Sequence, residues 1–182
     1  PSRETLDASI RKAADFLLKE QNRDGSWGNH TRTKGLNVLC PYPEGPRSFR
    51  TASTSLCVIG LLTSPLKEDP AVKASLDKAL QYLLTTLPTL KRGDTRTVLG
   101  VWGHAYGLSA LSRAARNLPA DAPLREELKK VASLQVKALD QMADVQGGWG
   151  YYTFETFSKR PIGEPTSFLT ATVLLAYKDA EQ

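Results

Sequence analysis

One histidine stands out among the side chains that could do chemistry. His104 lies near the start of residues 98–111, a nearly charge-free stretch whose other ionisable side chain is Tyr106. Near a helix N-terminus an imidazole is held neutral, so His104 could exchange a proton with a substrate, with Tyr106 beside it. A buried histidine with a purely structural hydrogen bond is the alternative, and both stay open. The loop carboxylates that could complete an acid–base pair are Asp94, Glu155 and Glu164.

Basic side chains collect in the loops that precede the apolar stretches. If those stretches are helices, their N-termini carry partial positive charge and free N–H groups, and the loops would form one basic rim. Such a rim predicts a phosphate, sulfate or carboxylate head bound over an apolar cavity, and simple solvation of these charges is the alternative. Tyr151 and Tyr152 could stack on a sugar or on an apolar chain. The rim cations are Arg32, Lys34, Arg47, Arg50, Lys91, Arg92, Arg96, Lys159 and Arg160.

Apolar periodicity predicts six helices of two alternating kinds. Three are amphipathic, and three are almost uncharged; a helix that is apolar on every face is expected to be buried on every face. Asp69 and Asp121 are the expected N-caps of two amphipathic helices. The long loop that contains Gly45 and Pro46 is expected to exclude helix. The predicted amphipathic helices cover residues 3–20, 70–87 and 124–142, and the apolar ones cover 51–66, 98–111 and 166–177.

All three tryptophans lie in one repeated tetrapeptide, Gly-x-Trp-Gly. The copies are residues 25–28, 100–103 and 147–150, and each is expected to form the turn between an amphipathic helix and an apolar one. Amphipathic helices outside and apolar helices inside predict an all-α fold, a layered α/α barrel or toroid built from three helix hairpins. The repeats cover approximately residues 1–66, 67–119 and 120–182 of a single domain that spans 1–182.

Residues 21–28, Gln-Asn-Arg-Asp-Gly-Ser-Trp-Gly, resemble the QW motif (Q-x-x-D/E-G-x-W) of the squalene and oxidosqualene cyclases. Residues 146–151 are similar to the Gly-Gly-Trp-Gly form of the prenyltransferase/squalene-oxidase repeat, and the second copy keeps only Gly100 and Trp102. The resemblance implies an (α/α)6 toroid, of which three hairpins are half; further repeats of the parent chain or a second copy would complete the ring. The structural-motif residues that it implies are Gln21, Asp24, Gly25, Trp27, Trp102 and Trp149.

The catalytic motifs of that superfamily are absent from this sequence. It has no D-x-D-D run, and its histidines and cysteines lack zinc-site spacing, so no metal or other cofactor is expected. The resemblance implies an apolar substrate, and the basic rim would bind an anionic head at the N-terminal mouth of the inner helices; an isoprenoid diphosphate would fit both. Two alternatives stay open: a non-catalytic interaction or structural toroid, and a carbohydrate-active α/α barrel that uses Tyr151, Tyr152, Glu155 and Glu164.

Composition sets the remaining limits. The 182 residues are 41% hydrophobic and 24% charged, which is typical of a soluble domain, and no stretch predicts a membrane span. The net charge of +5 permits an anionic partner, but nucleic acid is not expected. Cys40 and Cys57 set no disulfide framework. The chain opens on Pro1 without a visible targeting signal, which leaves export or a periplasmic location open.

Overall fold

The computed structural model describes residues 2–29, 43–93, 95–156 and 158–181. Within these ranges the fold contains six α-helices, and its β-structure is limited to two isolated bridges, which confirms the all-α prediction. None of the described helices is long and apolar enough to cross a membrane. The helices are α1 (Arg3–Glu20), α2 (Glu44–Thr63), α3 (Pro70–Thr86), α4 (Gly100–Arg116), α5 (Pro123–Met142) and α6 (Ser167–Glu181), with a 3₁₀ turn at Leu87–Thr89.

Local chemistry explains how the helices begin. The Asp69 carboxylate accepts a hydrogen bond from the Ala71 backbone N–H at 2.9 Å, which confirms the predicted cap of α3. The prediction for Asp121 was wrong: Ala122 is the N-cap of α5 and makes no side-chain capping bond. Pro123, at the first helical position, starts α5 instead, because its ring fixes a helical φ and it has no N–H that needs a partner.

The start of α2 corrects a second prediction. This helix begins at Glu44, so Gly45 and Pro46 lie in its first turn and not in a loop that excludes helix. Proline is tolerated there because the N–H groups of the first turn have no intrahelical acceptor. The Glu44 carboxylate accepts from the Lys91 backbone N–H at 3.3 Å and contacts the Arg47 guanidinium at 3.4 Å, which ties this turn to the segment before α4.

The helix at the centre of the fold is α4, which packs against α2, α5 and α6. It is buried along most of its length, as expected for an apolar helix. The same expectation was wrong for α2 and α6, because each contacts α4 on one side and leaves another side open. Leu56 of α2 is 48% exposed, and Leu174 and Leu175 of α6 are 57% and 65% exposed.

The first and third copies of the tetrapeptide form the same turn. Gly25 and Gly147 both have φ +87°, a conformation that favours glycine. The indole N–H of Trp27 donates to the Leu17 carbonyl at 2.7 Å, and that of Trp149 donates to the Leu139 carbonyl at 2.8 Å. Each tryptophan therefore anchors the turn to the amphipathic helix ten residues before it.

A threonine on the following apolar helix holds each of these two turns. The backbone N–H of Trp27 donates to the Thr54 hydroxyl of α2, and the backbone N–H of Trp149 donates to the Thr170 hydroxyl of α6, both at 3.0 Å. The turns thus connect α1 to α2 and α5 to α6 through the same pair of hydrogen bonds.

The second copy does not form a turn, contrary to the prediction. Gly100 is the first residue of α4, and Trp102 and Gly103 lie inside its first turn. The backbone reverses earlier, around Gly93, which has φ +114°. Added Cβ atoms would lie 2.7 Å from the Lys91 carbonyl oxygen at Gly100 and 2.4 Å from a Leu90 methyl at Gly103, so these glycines serve close packing.

Candidate functional site

A cleft of about 410 Å³ opens between the apolar helices α2, α4 and α6. Its walls are largely apolar, with Leu56 and Ile59 from α2, Tyr106 from α4 and Leu175 from α6. The open sides of α2 and α6 therefore face a shared space. The remaining lining residues are Ser109, Arg113, Thr172, Lys178 and Asp179.

Aromatic side chains cluster at the N-terminal end of α4, next to this cleft. The Trp102 ring stacks on Tyr106 with centroids 5.6 Å apart and on Phe168 with centroids 5.7 Å apart. Tyr151 lies 6.1 Å from Trp102 and 6.2 Å from Tyr152. Since Tyr106 belongs both to this cluster and to the cleft wall, the two are continuous.

The loop after the third tryptophan is held against the start of α4 by backbone hydrogen bonds. The Val98 N–H donates to the Tyr151 carbonyl at 2.7 Å, and the Thr153 N–H donates to the Arg96 carbonyl at 2.9 Å. This pairing brings Tyr151, which is about 50 residues from Trp102 in sequence, against the Trp102 ring, and Tyr152 contacts Tyr151. Phe168, in the first turn of α6, was missed by the sequence reasoning because it looks like an ordinary core residue there.

Burial favours the neutral form of the Tyr151 phenol. Burial raises its pKa, and the Trp102 indole opposes that rise more weakly. The indole N–H of Trp102 makes no hydrogen bond of normal geometry to a described residue, so its contact with Tyr151 is chiefly one of rings. The cluster thus offers flat, uncharged aromatic surface.

His104 does not line the cleft; it is 2% exposed and faces α5. Its Nδ1 lies 2.7 Å from Gln135 Oε1, and Gln135 donates its own amide to the Val131 carbonyl at 2.9 Å. Because that oxygen can only accept, the neutral imidazole carries its proton on Nδ1. Burial lowers the pKa of His104, against a smaller opposing effect of the Gln135 hydrogen bond. The imidazole thus links α4 to α5 and does not reach the cleft.

Three of the predicted rim cations are engaged in ion pairs. Arg50 contacts Asp24 at 2.9 Å and lies over the Tyr82 ring at 5.6 Å. Arg47 donates to the Thr89 carbonyl at 3.2 Å besides contacting Glu44, and Arg160 contacts Asp140 at 3.4 Å. They brace neighbouring helices and turns.

Asp24 lies in the first tryptophan turn and also forms the ion pair with Arg50. Burial by itself would raise the pKa of Asp24. The hydrogen bonds from Ser26 and the charge of Arg50 together lower it by more, so the net shift of the pKa is downward. Its Oδ1 accepts from the Ser26 backbone N–H at 3.2 Å. The carboxylate of the QW-like motif is therefore a structural acceptor in this fold.

The other predicted residues are not brought into one group. Arg96, Lys159, Glu155 and Glu164 are exposed, and none of them lines the cleft. Cys57 has a free thiol, and burial raises its pKa to about 11. The predicted residues Asp94, Arg32, Lys34 and Cys40 lie outside the described residues, as does the histidine at position 30.

The cations that do line the cleft were not predicted. Arg113 and Lys178 lie near the C-terminal ends of α4 and α6, at the end of the cleft away from the aromatic cluster. Arg113 Nε donates to Asp179 Oδ2 at 2.9 Å, whereas Lys178 is exposed. The predicted apolar stretch ended at residue 111, so Arg113 fell outside the reasoning about this helix.

The described residues contain no group of three or more His, Cys, Asp and Glu side chains that could hold a metal ion. In comparisons with known proteins, no family model matches this chain, and no solved structure matches it.

Proposed function

We propose that this protein binds an elongated apolar ligand in the cleft between α2, α4 and α6. The observation that carries the proposal is the apolar wall formed by Leu56, Ile59, Tyr106 and Leu175, which is continuous with the stacked rings of Trp102 and Phe168. Each 100 Å² of apolar surface covered by such a ligand contributes roughly 2.5 kcal/mol before the costs of association.

The ligand in this proposal carries an anionic head. Lys178 is exposed at the C-terminal end of the cleft and supplies a positive charge there, whereas Asp179 balances the charge of Arg113. We therefore place the head at this end and not at the N-terminal mouth, where Arg47 and Arg50 already have carboxylate partners. An isoprenoid diphosphate combines a branched apolar body with such a head.

The same proposal treats the three helix pairs as part of an α/α toroid. Supporting it are the identical tryptophan turns at Trp27 and Trp149 and the alternation of exposed, amphipathic helices with apolar ones that surround a common cleft. Further repeats of the parent chain or a second copy would complete the ring. Small-angle scattering of the full protein would distinguish a ring from an open arc.

Binding is tested with three probes: farnesyl diphosphate, farnesol and inorganic diphosphate. Fluorescence titration reports binding through Trp102, and the Trp102→Phe variant identifies its share of the signal. We expect both farnesyl compounds to bind, the diphosphate more tightly, and inorganic diphosphate to bind weakly. Absence of any response to the two farnesyl compounds would overturn the proposal in favour of the protein-interaction alternative.

Two variants locate the site. Leu175→Asp places a charge on the cleft wall and should weaken both farnesyl compounds by at least about tenfold, equivalent to ~1.4 kcal/mol. Its matched control is Leu134→Asp, since Leu134 is 40% exposed on α5 and does not line the cleft. Lys178→Gln should weaken the binding of farnesyl diphosphate and leave the binding of farnesol unchanged. Equal effects on both compounds would contradict the placement of the anionic head at this end of the cleft.

A further inference from the structure

The first tryptophan turn is covered by an amphipathic helix. Gln21, at the end of α1, donates to the Ser75 carbonyl of α3 at 2.9 Å and accepts from the Ser75 hydroxyl at 2.9 Å. A Cβ added to Gly25 would lie 2.3 Å from the Lys78 carbonyl oxygen, so α3 lies directly on this turn. The turn after α1 thus forms a docking surface for α3.

The third turn has the same geometry but no such cover among the described residues. Gly147 matches Gly25 in φ, yet a Cβ added to Gly147 would meet nothing within 4 Å. On the same helix pair, a groove runs between α5 and α6 as two adjoining cavities of about 290 and 270 Å³ that share Val136 and Ala180. The surface that α3 covers at the first turn is open at the third.

The chain also carries an amphipathic helix, α1, whose apolar stripe is only partly buried. A shift of 66 residues aligns α1 with α3 and superimposes Lys-Ala-x-x-aromatic-Leu-Leu at 12–18 and 78–84. In α3, Val72 and Ala79 are fully buried. Their equivalents in α1, Leu6 and Ala13, are exposed, Leu6 by 52%.

The docking residues of α3 are repeated in α1 as well. Ser75 and Lys78, which lie on the first turn, correspond to Ser9 and Lys12, and both of these are exposed. Ala143 takes the place of Gln21 at the third turn, so the paired hydrogen bonds to the serine would be absent there. Packing would have to supply the contact.

Charge also matches α1 to the groove. Arg116, Arg125 and Lys129 line one end of it, and the Nε of Arg125 is buried without a hydrogen-bond partner among the described residues. The first two turns of α1 carry Glu4 and Asp7, both exposed, besides Arg3, which contacts Asp7 at 4.0 Å. An α1 helix docked as α3 is docked would place its acidic N-terminal turns at this basic end.

We propose that α1 of one copy docks in the α5–α6 groove of a second copy and covers its third tryptophan turn. The contact joins two different surfaces, so it is heterologous and can close into a ring or continue from copy to copy. It rests on the ring arrangement proposed above and does not depend on the ligand. Further repeats of a longer parent chain would compete for the same groove.

Light scattering after size exclusion of the 182-residue chain tests the association. We expect a mass of at least about twice the 19.9 kDa monomer, with a population that grows with protein concentration. Leu6→Asp on α1 and Val136→Asp in the groove should each reduce the mass to that of the monomer. Leu134→Asp, on the same helix as Val136 and similarly exposed at 40%, should not.

Mixing the two interface variants gives a sharper test. Leu6→Asp retains an intact groove and Val136→Asp retains an intact α1, so their mixture should form a heterodimer through one contact, although each alone is monomeric. Lys12→Cys and Gln146→Cys should form a disulfide between copies in that arrangement. A wild-type protein that stays monomeric up to millimolar concentration, or a mixture that does not associate, overturns the inference.

The ligand experiment separates this inference from the proposed function. Monomeric Val136→Asp has an unchanged central cleft, because Val136 does not line it. If this variant binds farnesyl diphosphate as the wild type does, ligand binding does not require association, and either proposal can fail without the other.

Discussion

Trp27 and Trp149 are anchors, whereas Trp102 is a platform. The first two are buried and donate their indole N–H to a carbonyl ten residues earlier. Trp102 is half-buried, lies inside α4 and stacks on Tyr106 and Phe168. The same four-letter frame thus has two roles, and the φ of the glycine two residues before the tryptophan separates them: positive at Gly25 and Gly147, helical at Gly100.

The second copy has its own connections in place of the turn. The Ser48 hydroxyl of α2 donates to the Leu99 carbonyl at 2.7 Å and accepts from the Gly103 N–H at 3.1 Å. His104 then links α4 to α5 through Gln135. These contacts fix the start of α4 without the indole, which leaves Trp102 available to the cleft.

Truncating the tryptophans should give the largest difference between the copies. Trp27→Ala and Trp149→Ala remove buried rings and should each lower the free energy of unfolding by about 3–5 kcal/mol. Trp102→Ala should cost clearly less, because its ring is partly exposed. Urea denaturation followed by circular dichroism measures all three, and equal losses would contradict the division into anchors and platform.

The two anchoring turns can be distinguished from each other by glycine substitution. Gly147→Ala should lower the free energy of unfolding of the monomer by about 1–2 kcal/mol, because an L-residue is strained at φ +87° but meets no neighbour within its own copy. Gly25→Ala carries the same strain and also pushes its Cβ into α3, which adds about 1–3 kcal/mol. A smaller loss at Gly25 than at Gly147 in thermal or urea unfolding would be inconsistent with the docking of α3 on the first turn.

The threonine bonds should matter at the first and third turns only. Thr54→Val and Thr170→Val leave the tryptophan backbone N–H without its acceptor and should each cost about 1–2 kcal/mol. Thr172→Val, on the same helix as Thr170, removes only a bond to the carbonyl four residues before it and should be nearly neutral. Urea denaturation measures these losses. A Thr170→Val variant with unchanged stability would contradict the anchoring of the third turn.

His104 gives the second copy a distinct dependence on pH. Burial lowers its pKa in the folded protein below 6.5, so the unfolded chain binds the extra proton first as pH falls. Stability is fully present above that value and should decline below it, by up to about 1.4 kcal/mol per pH unit. The difference in unfolding free energy between wild type and His104→Asn, measured from pH 7.5 to 5, isolates this contribution; a difference independent of pH would contradict it.

Features that depend on local chemistry could be predicted from the sequence. The six helices, the Asp69 cap and the anchoring roles of Trp27 and Trp149 follow from periodicity and short-range hydrogen bonds. The glycine two residues before each anchoring tryptophan indicates a backbone position with positive φ, a conformation that few other residues adopt. For such features the determining partners lie within about ten residues along the chain.

Features that depend on distant partners were decided by the tertiary structure. Ser48 of α2 binds the start of α4, where the second copy is helical, and Gln135 of α5 binds the Nδ1 of His104. The aromatic platform needs the Tyr151 loop to pair with Val98, and the exposed faces of α2 and α6 follow from their having α4 on one side only. A sequence pattern states which side chains are apolar, but only packing determines which of them find a neighbour.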